Sequence, residues 1–305
     1  MSEPSPSSPS FTYGHGIVES RTAVRFIWEL DTGGGPQPGL ARWAAGGKPW
    51  PYLPMRWMPV RLALLPGPPP CNFMLGGDGR VGFGYGNYNE ELINDTATGP
   101  KGRGPLRELR VIGDHLYAAG MGRQVYRRLG PAQWEVLDPP RVPKPGEIVV
   151  CGFTALDGVD ESDVWAVGYK GEMWNRRGGQ WHEAPALTNL TLHKVRMVRD
   201  NLGFASGKKG IVLRYDGRTW AALPHPAGTD DIWDLEWFGD RLYAASAKKL
   251  YVLQPDDTFA EIKIEGVTSF GHLHAADGVL WSFGTLQLAW TDDGQHWSTE
   301  RPPRP

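Results

Sequence analysis

The chain has only two cysteines, Cys71 and Cys151, in 305 residues. That excludes a disulfide framework and any zinc site built on paired Cys-x-x-Cys ligands. Both read as buried free thiols in a reducing compartment. Charge of one sign is also missing: 32 Lys+Arg stand against 34 Asp+Glu, a formal net charge of −2. No whole-molecule field therefore draws the protein to nucleic acid or to an anionic membrane. No apolar run approaches the roughly twenty residues of a membrane-spanning helix. Residues Met1–Ser10 are Ser/Pro-rich, without the basic start and apolar core of a secretory signal. They are expected to be a disordered tail, and the cytoplasm is the expected compartment. Helical periodicity, finally, is almost absent.

What the chain does have is turn and strand chemistry: Gly 40, Pro 27 and Trp 14, a combination that favours all-β structure. It also repeats. Leu109–Gly120 (LRVIGDHLYAAG) matches Leu235–Ser246 (LEWFGDRLYAAS): an alternating strand, a Gly-Asp turn, then a strand of large apolar residues running into small ones. The second half recurs at Val164–Gly168, Leu202–Gly207 and Leu280–Gly284, and more loosely at Val81–Gly86. Downstream of each clear copy stands an aromatic anchor (Trp134, Trp181, Trp220, Phe259, Trp297), at a spacing near forty residues. Each unit thus holds four short strands, a to d, and cannot bury both faces of its sheet alone. Radial stacking buries them and leaves only short edges, so the expected fold is an all-β propeller of four-stranded blades.

Clear repeats run over residues 71–300, with blades starting near 71, 107, 150, 190, 232 and 267. Residues 11–65 are β-like but match the repeat poorly, as a seventh blade or a cap. Seven blades are favoured over six, in one domain over 11–305. Pro66–Pro70 and Pro139–Pro145 read as stiff links between blades.

The segment Thr291-Asp292-Asp293-Gly294-Gln295-His296-Trp297 resembles the Asp-box, or BNR repeat, with Asp292, Gly294 and Trp297 in the matching places and Trp290 where Ser is expected. Tyr215–Trp220 and Arg177–Trp181 look like decayed copies. Together with Asp163–Gly168, these residues resemble bacterial BNR-containing propellers of the photosystem II assembly factor-like kind. The resemblance implies a structural turn motif, not a catalytic one. Sialidases share the box, but their chemistry needs an arginine cluster and a Tyr/Glu pair on one face, which the sequence pattern does not place.

Chemistry-bearing motifs are few. His272 and His274 share one face of a strand by period-two alternation; they form a weak candidate metal pair, read mainly as a structural pair near the central channel. Gly207-Lys208-Lys209-Gly210 lacks the helix that a phosphate loop needs. The acidic stretch Asp230, Asp231, Asp234 and Glu236 reads as a solvated strand edge. Sorting turns by type gives the clearest pattern. The b–c turns of successive units carry Arg123, Lys170, Lys208 with Lys209, and Lys248 with Lys249, a basic arc on one rim. The a–b turns carry Asp114, Asp157, Asp160, Asp163, Asp200, Asp240 and Asp277 on the other. Asp is a common turn residue whatever the function, whereas Lys and Arg are not. Tyr88, Trp233 and Trp237 could add aromatic contact area.

These features point to a non-catalytic protein, monomeric on its own and without a cofactor, that binds another protein with an acidic surface. It would be a toxin-neutralising immunity protein or an assembly scaffold. A sialidase-like carbohydrate-active enzyme, and a metal or small-molecule binder at the channel, are the alternatives.

Overall fold

A computed structural model describes residues 10–31, 35–46, 52–84, 87–140, 151–224 and 228–300. They form seven antiparallel four-stranded sheets, each made of consecutive strands. The blades span residues 10–54, 59–92, 106–136, 153–183, 192–223, 232–262 and 271–300. Helix is confined among the described residues to the short turn Pro100–Arg103 and two 3-10 turns, and no helix is long and apolar enough to cross a membrane.

The repeated motif is strand b. His115–Gly120, Asp163–Gly168, Leu202–Gly207 and Val279–Gly284 are buried along nearly their whole length, because neighbouring blades cover both faces. The terminal glycine has a steric reason. A Cβ on Gly168 would lie 1.9 Å from the carbonyl oxygen of Gly152, and one on Gly207 would lie 2.2 Å from that of Thr191. The chain entering strand a passes directly against the end of strand b. Between blades lie apolar clusters, one for each of the seven interfaces of a closed ring.

The favoured seventh blade is the N-terminal one: residues 11–65 supply blade 1 and strand a of blade 2, Pro59–Leu65. Two expectations beside it need correction. The second blade therefore starts at 59, not 71, and Pro66–Pro70 is its a–b turn rather than a link between blades. Pro139 and Pro140 do follow the last strand of blade 3, while residues 141–145 lie outside the described residues. So does the expected tail, except Ser10, which opens strand a of blade 1.

Among the described residues no sheet contains strands from both ends of the chain, so the ring closes by packing and by side-chain and loop hydrogen bonds rather than by a shared sheet. Trp281 and Phe283 of blade 7 meet Val18, Phe26 and Trp43 of blade 1, and Trp43 and Trp281 lie 5.0 Å apart. The Tyr13 N–H donates to the Thr285 carbonyl at 3.0 Å. Arg21 donates from its backbone to Asp277 and from its side chain to Asp292, each at 2.7 Å. Asp292 thus serves the seam. The last c–d turn is capped instead by Asp293, which accepts from the backbone N–H groups of Gln295 and His296 at 2.7 and 2.8 Å. Asp216 holds Arg218 and Thr219 in the same way, so the shared pattern is Asp-Gly-x-x-Trp.

Trp281 is only 1% exposed at this seam. Trp281→Ala is expected to lower stability by about 3–5 kcal/mol in urea denaturation, as for other buried large-to-small changes. A loss below about 1 kcal/mol would mean that the seam does not rest on this ring.

Candidate functional site

Strand a is the innermost strand of each blade, and its side chains alternate between the blade interfaces and the central channel. Channel positions recur in pairs that flank one apolar residue: Arg61 and Ala63, Glu108 and Arg110, Lys194 and Arg196, Asp234 and Glu236, His272 and His274. Blades 1 and 4 contribute His15 and Asp157, the paired positions Ile17 and Ala155 packing into the apolar interfaces. Bulges precede several of them, between Pro59 and Arg61, Leu192 and Lys194, and Ile232 and Asp234. Such bulges re-aim side chains.

The result is two tiers of alternating charge. In the upper tier Glu108 lies 3.5 Å from Arg61 and 3.9 Å from Lys194, and Lys194 lies 3.2 Å from Asp234. Asp234 then approaches His272 at 3.4 Å, and His272 packs edge-on against His15 with ring centres 5.3 Å apart. In the lower tier Asp157 joins Arg110 at 2.8 Å to Arg196 at 3.2 Å, and Arg196 reaches Glu236 at 2.7 Å. The acids also stitch blades through the backbone: Asp157 accepts from Met197 N–H at 2.8 Å, and Asp234 from Leu273 N–H at 3.2 Å. His15 and His274 do the same through Nδ1, accepting from Leu62 and Val18 N–H at 3.2 Å each.

This overturns two expectations. Asp234 and Glu236, read as a solvated edge, are 1% and 2% exposed, and Asp157, assigned to an a–b turn, is buried in the channel. Burial alone would raise the pKa of Asp157 and Asp234. Arg110 and Arg196 outweigh it for the first, Lys194 and His272 for the second, and both carboxyls are held below their usual range. His272 and His274 do face the channel together. Among the described residues no group of three or more His, Cys, Asp or Glu is placed to hold a metal ion. Cys71 is half-buried and Cys151 buried, and neither forms a disulfide.

The requirements of a sialidase-like site are met only in part. Arg61, Arg110 and Arg196 converge on the channel, but each lies against a carboxylate and no tyrosine occupies either tier. A Tyr/Glu pair occurs elsewhere, between blades 3 and 4, where Tyr117 donates to Glu161 at 2.9 Å. Burial first, and then Glu161, pushes that phenol up to about 12, the opposite of an activated nucleophile.

The basic residues do recur at b–c turns. Lys170 (φ 56, ψ 30) and Lys209 (φ 54, ψ 35) both occupy the left-handed region, each followed by a left-handed glycine. Both turns close by an i to i+3 hydrogen bond, Glu172 N–H to Tyr169 and Ile211 N–H to Lys208, which is the type I′ form. Arg123 (φ 57) sits in a similar turn after Gly122, but its side chain is buried against Glu172. Lys170, Lys208 and Lys248 are exposed, while Lys249 pairs with Glu261 at 3.5 Å. On the same rim Trp233, 42% exposed, stacks on His193 at 4.2 Å, and Asp231 accepts from Lys209 N–H at 2.9 Å. Between blades 3 and 4 this rim holds a cavity of about 590 Å3 lined by Arg123, Lys170 and Glu172. Tyr88 lies on the opposite rim in a c–d connection, donating to Glu90 at 2.5 Å, and residues 85 and 86 beside it lie outside the described residues. Trp237 is half-buried, stacked on Phe204.

The channel histidines make stability depend on pH. Burial first, with nearby cations, lowers His15, lowers His272 despite the opposing pull of Asp234, and brings His274 down to about 4 despite that of Glu236. An unfolded histidine titrates near 6.5. Between these values the unfolded chain binds more protons, so stability is full above pH ~6.5 and falls toward pH ~4. The expected slope approaches about 1.4 kcal/mol per pH unit for each histidine that stays neutral. Urea melts across this range should show it, and His274→Asn, which keeps an acceptor for Val18, should make the slope shallower.

No model of a described protein family matches the chain. The immune protein Tsi7 of Pseudomonas aeruginosa is 32% identical over 285 residues, covering 92% of this chain and 89% of that protein. Among solved structures, PorZ of Porphyromonas gingivalis, a surface component of the type-IX secretion system, superposes with a TM-score of 0.67 at 12% identity. The match covers 96% of this chain but only 38% of PorZ. YCF48 bound to a D1 peptide superposes with a TM-score of 0.66 at 14% identity, over 93% of each chain. These two likenesses are of fold alone. With 32% identity over 92% of its length, the chain belongs to the Tsi7 immune-protein family.

Proposed function

We propose that this chain is a non-catalytic immunity protein that neutralises a toxin by docking it on the b–c rim. Its kinship with an immune protein along almost the whole chain supports the class. The docking face rests on one observation: Lys170 and Lys209 hold left-handed turn positions that Asn or Gly fill more cheaply. A backbone penalty of about 1 kcal/mol at each site is retained for a side chain the turn does not need, and both side chains point to solvent. Strain of this sort marks functional positions.

Lys208 and Lys248 extend the exposed charge over the neighbouring turns, and Trp233 provides an aromatic platform beside it. The partner surface that fits is acidic with an apolar centre. Exposed pairs contribute only about 0.2–1 kcal/mol each, so the field acts mainly on encounter rate and specificity. Arg123 shapes the cavity wall through Glu172 and adds nothing to the outward charge. The binder is a monomer, and two thiols outside any disulfide suit the cytoplasm. An assembly scaffold is the other protein-binding reading, and toxicity separates the two.

The test begins with affinity capture from the native host, followed by expression of the captured protein in a naive bacterium. It should arrest growth alone and not when this chain is co-expressed; a harmless partner would contradict the immunity reading. Lys170→Asn with Lys209→Asn should leave stability equal or higher yet slow association. Glu at 208, 209, 248 and 249 should slow it by about tenfold or more and flatten its salt dependence. Unchanged association at low salt would move the docking face elsewhere.

A further inference from the structure

The channel holds a cavity of about 240 Å3 that opens toward the a–b rim, the liquid volume of about eight waters. Room exists because the lower tier carries Ala63 where a charged neighbour of Arg110 would stand. Two of the lining groups are under-used. Glu108, 2% exposed, leaves its Oε2 without a hydrogen bond, with the Lys194 ammonium 3.9 Å away. Arg110 commits its Nε to Asp157 at 2.8 Å, and its two terminal nitrogens hold no hydrogen bond among the described residues. Glu108 and Arg110 are two residues apart on one strand, so they leave the same face about 7 Å apart.

We propose that this cavity binds a small zwitterion of the α-amino-acid type, with its ammonium on Glu108 Oε2 and its carboxylate on the free end of Arg110. The charge balance selects the class. Arg61 and Lys194 offset Glu108 and Asp234 in one tier; Arg110 and Arg196 offset Asp157 and Glu236 in the other. A guest with net charge leaves one buried charge uncompensated, which is costly. A zwitterion leaves none, and both its ends form charge-assisted hydrogen bonds, roughly twice as strong as the neutral ones a polyol would make. The mouth lies opposite the lysine-bearing turns, so this site stands independently of the toxin-docking reading.

Isothermal titration of the full chain at neutral pH with L-leucine, N-acetyl-leucine and leucine amide tests it, the last two each carrying one charge. Free leucine is expected to saturate one site per chain, with each blocked analogue weaker by about tenfold or more. Glu108→Gln should lose binding to a similar degree; if that variant does not fold, the analogue series on the native chain still decides. No saturable heat with leucine or glycine up to tens of millimolar, or equal binding of the blocked analogues, overturns the proposal.

Discussion

Seven inner strands meet around one channel, and the charges they present there must cancel. A buried ion is tolerated only beside a partner, and removing one member of such a pair costs about 3–5 kcal/mol. Here the partner is always on another blade: Arg110 needs Asp157, Asp157 needs Arg196, and Arg196 needs Glu236. The alternation of sign from blade to blade is therefore an order code. Exchanging blades 5 and 6, for example, would set Glu236 beside Asp157 with no cation between them.

Apolar interfaces supply the adhesion, and the charged tiers supply the register. The two meet at the seam between the first and last blades, where no strand crosses. There His274 accepts the Val18 N–H on the channel side while Trp281 fills the interface behind it. With the inner strands held on both counts, the b–c turns become rigid fixtures. Loops on such a frame can keep side chains in costly backbone positions, as Lys170 and Lys209 are kept. A preorganised rim loses little entropy on docking.

Much of this was legible in the chain. Strand b announces itself, because a fully buried strand must be a near-continuous run of large and small apolar residues ending where the next chain segment passes. The b–c position of the lysines followed from that register. Of the channel lining only His272 and His274 were placed from the sequence; the charged pairs were missed although Glu108-Leu-Arg110, Lys194-Val-Arg196 and Asp234-Leu-Glu236 fall at the same place in earlier repeats. Alternation of that kind normally means one face in water. Only closure of the ring turns the polar face inward, and no local pattern encodes closure. Blade 2 was mis-started for a related reason, since Pro66–Pro70 resembles a linker by composition and is a turn by position. Pairings between blades, such as Arg123 with Glu172, join residues far apart in sequence and were equally invisible.

The central claim is that a locked ring presents the b–c rim to a protein partner. Amide hydrogen exchange on the chain, alone and saturated with its captured partner, addresses it most directly. The account predicts strong protection of the turns at residues 169–172, 208–211 and 247–249, with the strands unchanged because they are already locked. Protection confined to the a–b turns, or spread through the inner strands, would contradict it.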